Sequence, residues 1–150
     1  APSNIIALVT CDADGQNSSE DIRSFAQEIL TCDEEVIFGS RFLGYEKNIP
    51  FVRRHVLALA ARLTNFLTEV KLTDTHNGMK AMKLSAVRKF DIETHGYAFE
   101  TELIREVGRH GIKYKEMSTN TVYTSYSMSK GQTLRNGLVI LEDLVRLVSR

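Results

Sequence analysis

The spacing of hydrophobic residues along this chain changes several times, and each change predicts the start of a new strand or helix. A short apolar run at residues 5–9, rich in Ile and Val, predicts a buried strand. Apolar side chains then recur at helical spacing over residues 18–30, where Ser18 and Asp21 are spaced as a capping pair. A second apolar run at residues 35–40 predicts another strand. The strand–helix–strand order favours parallel pairing within an α/β sheet.

A long helix is predicted over residues 51–70. Pro50 is expected to open it, because proline is favoured in the first turn of a helix. Its apolar stripe predicts a face buried in the core, made of Val52, Val56, Leu59, Leu63, Phe66 and Leu67.

The rest of the chain continues the alternation of strands and helices. Residues 78–84 alternate apolar and basic side chains as in a strand, and Ser85 is expected to cap a short helix after it. A helix over residues 99–110 precedes a strand at 113–123, and residues 134–148 have an amphipathic helical pattern. With no internal repeat, the pattern predicts a single α/β domain.

Composition narrows the classes of partner. The chain has 150 residues with 19 basic and 19 acidic side chains, so no net charge attracts nucleic acid. No apolar run approaches the ~20 residues that cross a bilayer. The two cysteines, Cys11 and Cys32, lack metal-site spacing and fit a reducing compartment, so we expect a cytoplasmic protein. The stripe at 134–148 favours core packing, with peripheral contact at the cytoplasmic face of a membrane as the alternative.

The first strand ends in a compact acidic turn. Asp12 and Asp14 are one residue apart, and like charges so close resist burial unless a cation lies between them. Ligands of open α/β sheets bind outside the carboxyl ends of strands, and Mg²⁺ or Mn²⁺ takes carboxylates together with substrate phosphates. The turn therefore predicts a metal–diphosphate site, with a solvated strand-to-helix loop as the alternative.

Five stretches of the chain resemble family 2 glycosyltransferases, in the branch of dolichol-phosphate mannose or glucose synthase-like enzymes that act on polyprenyl phosphates. They are VTCDADGQNSSED at 9–21, IFGSRF at 37–42, LTDTHNGMKAM at 72–82, GYAFETELI at 96–104 and YTSYSMSKGQTLRNGL at 123–138. The resemblance implies a GT-A fold, a three-layer α/β/α domain with a mostly parallel sheet. It also implies a nucleotide-sugar donor, a polyprenyl-phosphate acceptor and a divalent metal, Mg or Mn.

The resemblance also implies roles for residues near the donor. Asp12, Asp14 and Gln16 would hold the metal on the donor diphosphate, with Asp12 and Gln16 also binding substrate. Arg41 would bind diphosphate or acceptor phosphate through its planar guanidinium. The alternative for Arg41 is a surface arginine paired with an acidic residue at 33 or 34.

Further implied residues lie on the acceptor side. Asp74 would be catalytic and face the acceptor, or alternatively make an Asx-type turn that positions its loop. Glu100 and Glu102 would be catalytic, and one of them is a candidate general base if the acceptor is a hydroxyl. The alternative is that they stabilise a helix N-terminus. Lys130 would bind a phosphate or be a solvated loop lysine.

One expected feature of the family is not in this sequence. The first strand–loop–helix that grips the base and ribose has no counterpart, so we expect residues 1–150 to be the C-terminal portion of a GT-A domain. The alternative function is therefore a truncated, non-catalytic fragment or interaction module, whose exposed sheet edge would favour a homo-oligomer. A metal-dependent phosphohydrolase is less favoured, because Gln16 replaces the Thr or Val of its D-x-D-x-T/V motif.

Overall fold

The computed structural model describes residues 4–13, 15, 17–44, 51–93 and 98–120, without the side chains of residues 51–53 and 98. Asp14, Gln16, Lys130 and the predicted helix at 134–148 lie outside the described residues. The elements in chain order are β1 (Ala7–Thr10), α1 (Ser19–Thr31), β2 (Val36–Ser40), α2 (Phe51–Thr68), β3 (Lys80–Lys83), α3 (Leu84–Val87), α4 (Ala98–Arg109) and β4 (Tyr114–Ser118).

Four strands form one mixed sheet in the order β1-β3-β2-β4. β3 runs antiparallel to both β1 and β2, whereas β2 and β4 are parallel, so β1, β2 and β4 share one direction. The predicted α/β class is confirmed, and the sheet with its helices is compatible with a partial GT-A-like domain. Direct parallel pairing of the first two strands is wrong, because β3 is inserted between them, and the described sheet is mixed rather than mostly parallel because both pairings of β3 are antiparallel.

The core lies on both faces of the sheet. On β2, Val36 and Phe38 point to the face covered by α4, while Ile37 points to the face covered by Phe25 and Ile29 of α1. Successive residues of a strand point to opposite faces, so a fully apolar strand needs a helical layer on each side. The burial of every residue of β2 follows from this three-layer arrangement.

Local signals predicted the N-terminal cap of α1 correctly and that of α3 incorrectly, although both predicted helices are present. The Ser18 hydroxyl accepts a hydrogen bond from the backbone N–H of Asp21 at 3.0 Å, as the capping pair predicts. Ser85 does not cap α3. The helix begins at Leu84 without a side-chain cap, and the Ser85 hydroxyl donates instead to Glu35 at 2.9 Å. The Ser85 hydroxyl is thus bonded to a side chain distant in sequence instead of a backbone N–H group of α3.

The predicted buried face of α2 is wrong at its four exposed members, Val56, Leu59, Phe66 and Leu67, whereas Leu63 is half-buried and the side chain of Val52 is outside the described residues. The residues that the helix turns inward are small apart from Leu57, and Leu59 and Phe66 are exposed. The inward residues are Leu57, Ala60, Ala61, Thr64 and Thr68. α2 packs against α4 so closely that a Cβ at Gly108 would overlap the carbonyl oxygen of Thr68. Large side chains do not fit at this approach, so Phe66 and Leu67, in the same turn as Thr68, lie on the outer side.

β1 differs from the fully buried strand that the sequence predicts. Ala7 and Val9 pack against the α1 side of the core, whereas Ile6 and Leu8 are exposed. Within the described residues β1 is an outermost strand of the sheet, and its hydrogen-bonded neighbour is β3. In the part of the chain that the structure describes, no helix is long and apolar enough to cross a membrane.

Candidate functional site

Three polar segments meet at one edge of the sheet. β1 and β2 end there at Thr10 and Ser40, and β3 starts between them at Lys80. Because β3 is antiparallel to its neighbours, its start lies beside their carboxyl ends. The acidic turn after β1, Arg41 after β2 and the turn at residues 73–79 before β3 are therefore neighbours. This is the edge that the sequence predicted for the ligand.

Arg41 and Asp74 form a buried, bidentate ion pair. Nε of Arg41 lies 2.6 Å from Oδ2 of Asp74 and Nη2 lies 2.8 Å from Oδ1. Their residues are only 7% and 2% exposed. Burial alone would raise the pKa of Asp74, but the hydrogen bonds and charge of Arg41 outweigh it and hold that pKa below its ordinary value. The alternative of a surface arginine paired with residue 33 or 34 is wrong.

Asp74 also shapes its own turn. Its carboxylate accepts hydrogen bonds from the backbone N–H groups of Arg41 at 3.2 Å and His76 at 3.4 Å. Nη2 of Arg41 donates to the carbonyl oxygen of His76 at 2.8 Å. β4 holds the start of the turn, because Oε1 of Glu116 accepts from the backbone N–H of Thr73 at 2.8 Å. These contacts support the positioning role of Asp74, and its catalytic role stays a prediction.

His76 is held as a neutral imidazole. Its Nδ1 lies 2.9 Å from the hydroxyl of Thr75. Burial lowers its pKa from 6.5 to about 4, with the positive charges of Arg41 and Lys80 acting in the same direction and Asp74 opposing them. The ring is therefore uncharged at neutral pH.

Asp12 lies directly over Gly78, so the acidic strand end and the turn are in contact. A Cβ at position 78 would lie within 2.5 Å of Cγ and both carboxylate oxygens of Asp12. The Thr10 hydroxyl donates to the carbonyl oxygen of Gly78 at 3.0 Å and ties the two segments together. Glycine at this position is what lets the carboxylate of Asp12 sit here while the residue remains exposed.

Lys80 is a site residue that sequence reasoning missed. It is 2% exposed, its Nζ donates to the carbonyl oxygen of Asn77 at 2.6 Å, and it forms an ion pair with Glu100. Burial raises the pKa of Glu100, the charge and hydrogen bond of Lys80 oppose that rise, and the charges of Asp12 and Asp74 add to it. A lysine inside a basic–apolar strand pattern gives no sign of this role.

The other predicted site residues are only partly placed. Glu102 is buried on α4 and lies 3.9 Å from Arg105 through its Oε1. It is two residues from Glu100, so the two carboxylates leave opposite sides of the helix. No cluster of three or more metal-ligating side chains occurs among the described residues, which include Asp12 but not Asp14 or Gln16. The roles of all these residues stay predictions.

The comparisons with known proteins give three informative relatives. The chain is 32% identical over 146 residues to an uncharacterized protein of Methanocaldococcus jannaschii, covering 92% of this chain and 58% of the relative. It is 29% identical over 143 residues to the UDP-N-acetylglucosamine–dolichyl-phosphate N-acetylglucosaminyltransferase of Methanococcus voltae (93% and 57% covered). It is 27% identical over 128 residues to the undecaprenyl-phosphate mannosyltransferase of Micrococcus luteus (82% and 52% covered).

These similarities support the general class that the sequence predicted. No family model matches the chain. The chain is a distant relative of proteins named as polyprenyl-phosphate glycosyltransferases. It spans slightly more than half the length of each of these relatives.

Proposed function

We propose that this chain forms part of a glycosyltransferase that moves a sugar from a nucleotide-diphosphate sugar to a polyprenyl phosphate. The names of the relatives support the reaction class. The observation that carries the proposal is the contact between Asp12 and Gly78, because it brings the acidic strand end onto the turn that holds Asp74. The Lys80–Glu100 pair lies at the same edge of the sheet.

The donor diphosphate is proposed to bind at the acidic strand end. Asp12 offers an exposed carboxylate whose position is set by Gly78, and this fits a hard cation that takes one or two carboxylates together with substrate phosphates. Asp12, Asp14 and Gln16 would hold Mg²⁺ or Mn²⁺ there. The cation would neutralise charge on the departing diphosphate.

Arg41 is proposed to act mainly through the turn. Its guanidinium already donates to Asp74 and to the carbonyl oxygen of His76. Because Asp74 and His76 both belong to the turn before β3, these contacts of Arg41 hold that turn in place beside Asp12. Phosphate binding by Arg41, as the sequence predicted, would add to these contacts rather than replace them.

Glu100 and Lys80 are proposed to serve the acceptor. An acceptor phosphate oxygen is already anionic, so it needs no strong base, and the buried cation of Lys80 would favour its approach. An acceptor hydroxyl would need a general base, and Glu100, whose pKa is raised, suits that task. Glu102 and Lys130 remain proposed catalytic and phosphate-binding residues.

Calorimetry tests the donor half of the proposal. UDP, GDP and their sugars are titrated into the chain with and without Mn²⁺, and we expect metal-dependent binding that is lost in Asp12→Asn. Asp33→Asn is the matched control, because it removes an exposed aspartate on the loop after α1. Equal loss in both variants would contradict the site.

The same experiment separates the alternatives. Absence of nucleotide binding would favour the non-catalytic interaction module. The exposed Leu8 of β1 and Ile6 just before it would then suit self-association, measurable as a concentration-dependent mass. Release of phosphate from simple phosphoesters would favour the phosphohydrolase. Transfer of labelled sugar to a polyprenyl phosphate would support the full proposal.

A further inference from the structure

Residues 71–74 lead from the end of α2 into the turn before β3, and we call them the entry segment. They lie between the elements α2 and β3 rather than within either one. The backbone N–H groups of all four residues nevertheless have partners, and each partner is a side chain of α2 or β4. Buried or half-buried loop backbone needs such partners, and side chains from packed elements also fix its position. The entry segment is therefore attached to the core at every residue.

Glu116 of β4 holds the last two residues of the entry segment. Its Oε1 accepts hydrogen bonds from the backbone N–H groups of Thr73 at 2.8 Å and Asp74 at 3.3 Å, and from the Thr73 hydroxyl at 2.9 Å. Because the single hydroxyl proton of Thr73 is used there, the Ser40 hydroxyl is the donor in its 2.6 Å contact with Thr73. Ser40 directly precedes Arg41, so this chain of hydrogen bonds joins the two backbone segments that carry the buried ion pair.

Asn65 of α2 holds the middle of the entry segment. Its Oδ1 accepts from the backbone N–H of Leu72 at 3.0 Å, and its Nδ2 donates to the carbonyl oxygen of Leu72 at 2.8 Å. The Tyr114 hydroxyl accepts from the backbone N–H of Lys71 at 2.9 Å. Tyr114 and Glu116 are two residues apart on β4, so they leave the same side of the strand. The entry segment is thus fixed by one side chain of α2 and two of β4.

Asp74 is consequently held at both its backbone and its carboxylate. Glu116 accepts from its backbone N–H, while the guanidinium of Arg41 binds its carboxylate at 2.6 and 2.8 Å. A bidentate pair needs both partners in one geometry, and a shift of the Asp74 backbone would break it. Residues that orient a functional group from behind in this way set its geometry without contacting the ligand.

We propose that Asn65 and Glu116 are positioning residues, which hold the entry segment so that Asp74 stays paired with Arg41 and the turn stays beside Asp12. Neither is proposed to contact substrate. The inference rests on the proposed function, because the site that these residues support is the proposed donor site. It adds a residue of α2 and a residue of β4 to that site, and both act through the backbone of the entry segment.

A carboxyl-carbon NMR titration of Asp74 in Asn65→Leu and Glu116→Met tests the proposal. We expect the pKa of Asp74 to rise in both variants, because Arg41 then lowers it less while burial still raises it. Loss of the negative charge of Glu116 would by itself lower that pKa, so a rise reports weaker pairing with Arg41. In the same variants, Mn²⁺-dependent binding of UDP or GDP in calorimetry should weaken about tenfold.

Three further variants make the test specific. Glu116→Gln keeps an oxygen that can accept from the entry segment and should remain close to the unaltered chain in both measurements. Glu28→Met removes a carboxylate that pairs with Lys115, the neighbour of Glu116 on β4, and Arg62→Ala removes an exposed side chain of α2. These two controls should leave the pKa of Asp74 and nucleotide binding unchanged, and circular dichroism should show every variant folded.

Folded Asn65→Leu and Glu116→Met variants with an unchanged pKa of Asp74 would overturn the inference, and so would equal rises in the two controls. Leucine is a good helix former, so Asn65→Leu should fold even if Glu116→Met does not. A rise in both variants, with no nucleotide binding by the unaltered chain, would support the positioning role and contradict the proposed function. The two failures are therefore distinguishable.

Discussion

Removing the guanidinium of Arg41 should destabilise the fold strongly. In Arg41→Met the carboxylate of Asp74 stays 2% exposed but loses its bidentate partner. The backbone N–H groups of Arg41 at 3.2 Å and His76 at 3.4 Å remain, and neither replaces a charged donor. Breaking a buried pair by removing one partner costs about 3–5 kcal/mol, so we expect a loss of this size in the free energy of unfolding at pH 7.

The loss of unfolding free energy in Arg41→Met should become smaller as pH falls. In the unaltered chain Arg41 holds the pKa of Asp74 below 3.8, so stability is lost only when pH falls through that lowered value. Without Arg41, burial should raise the pKa above 3.8. A raised carboxyl pKa means that the folded state binds more protons, and the penalty then fades as pH falls towards the unfolded value. The two stability curves should therefore converge on acidification.

Urea unfolding followed by circular dichroism at pH 7 and pH 5 measures both effects. The double variant Arg41→Met/Asp74→Leu leaves no buried charge and should recover most of the loss. Lys89→Met is the control, because the side chain of Lys89 is 45% exposed and lies 3.5 Å from that of Glu35, which is 25% exposed, and its loss should cost about 0.5 kcal/mol or less. A cost below about 1 kcal/mol for Arg41→Met, or additive losses in the double variant, would refute the reasoning.

Three other predictions test the same site. His76, whose pKa is about 4 against an ordinary 6.5, should make the fold lose on the order of 3 kcal/mol as pH falls from 6.5 to 4; His76→Gln should flatten that slope in urea unfolding, and parallel curves would contradict it. Gly78→Ala should displace Asp12 and weaken Mn²⁺-dependent nucleotide binding about tenfold in calorimetry, with no further loss in an Asp12→Ala background; additive losses would argue against the contact. Lys80→Met should raise the pKa of Glu100 further, as seen in its carboxyl carbon NMR shift, whereas Lys80→Arg should not; an unchanged titration would remove Lys80 from the site.

Most elements could be predicted from local pattern. The Ser18 cap opened α1 where expected, and residues 35–40 contain β2, because caps and apolar runs act within a few residues. The predicted cap at Ser85 is an exception, because its hydroxyl donates to a partner 50 residues away. A local signal fails where a distant group competes for the same atoms.

The sequence predicted several residues of the candidate site, but it did not predict which of them contact each other. Asp12, Arg41 and Asp74 were singled out by type and by the resemblance, and the structure brings them to one sheet edge. The pairing of Arg41 with Asp74 spans 33 residues and that of Thr10 with Gly78 spans 68, so neither follows from spacing. Lys80 was missed for the same reason, because its meaning depends on a helix that follows it in the chain.

The sequence by itself determined the order of strands and helices, the capped start of α1 and the acidic turn after β1, since each depends on neighbouring residues. The tertiary structure alone decided that β3 lies between β1 and β2, that Asp12 contacts Gly78, and that Leu59 and Phe66 of α2 lie on the outside. The physical reason is that hydrophobic periodicity identifies an apolar face but not its partner. The close approach of α4 at Gly108 selected the small side of α2.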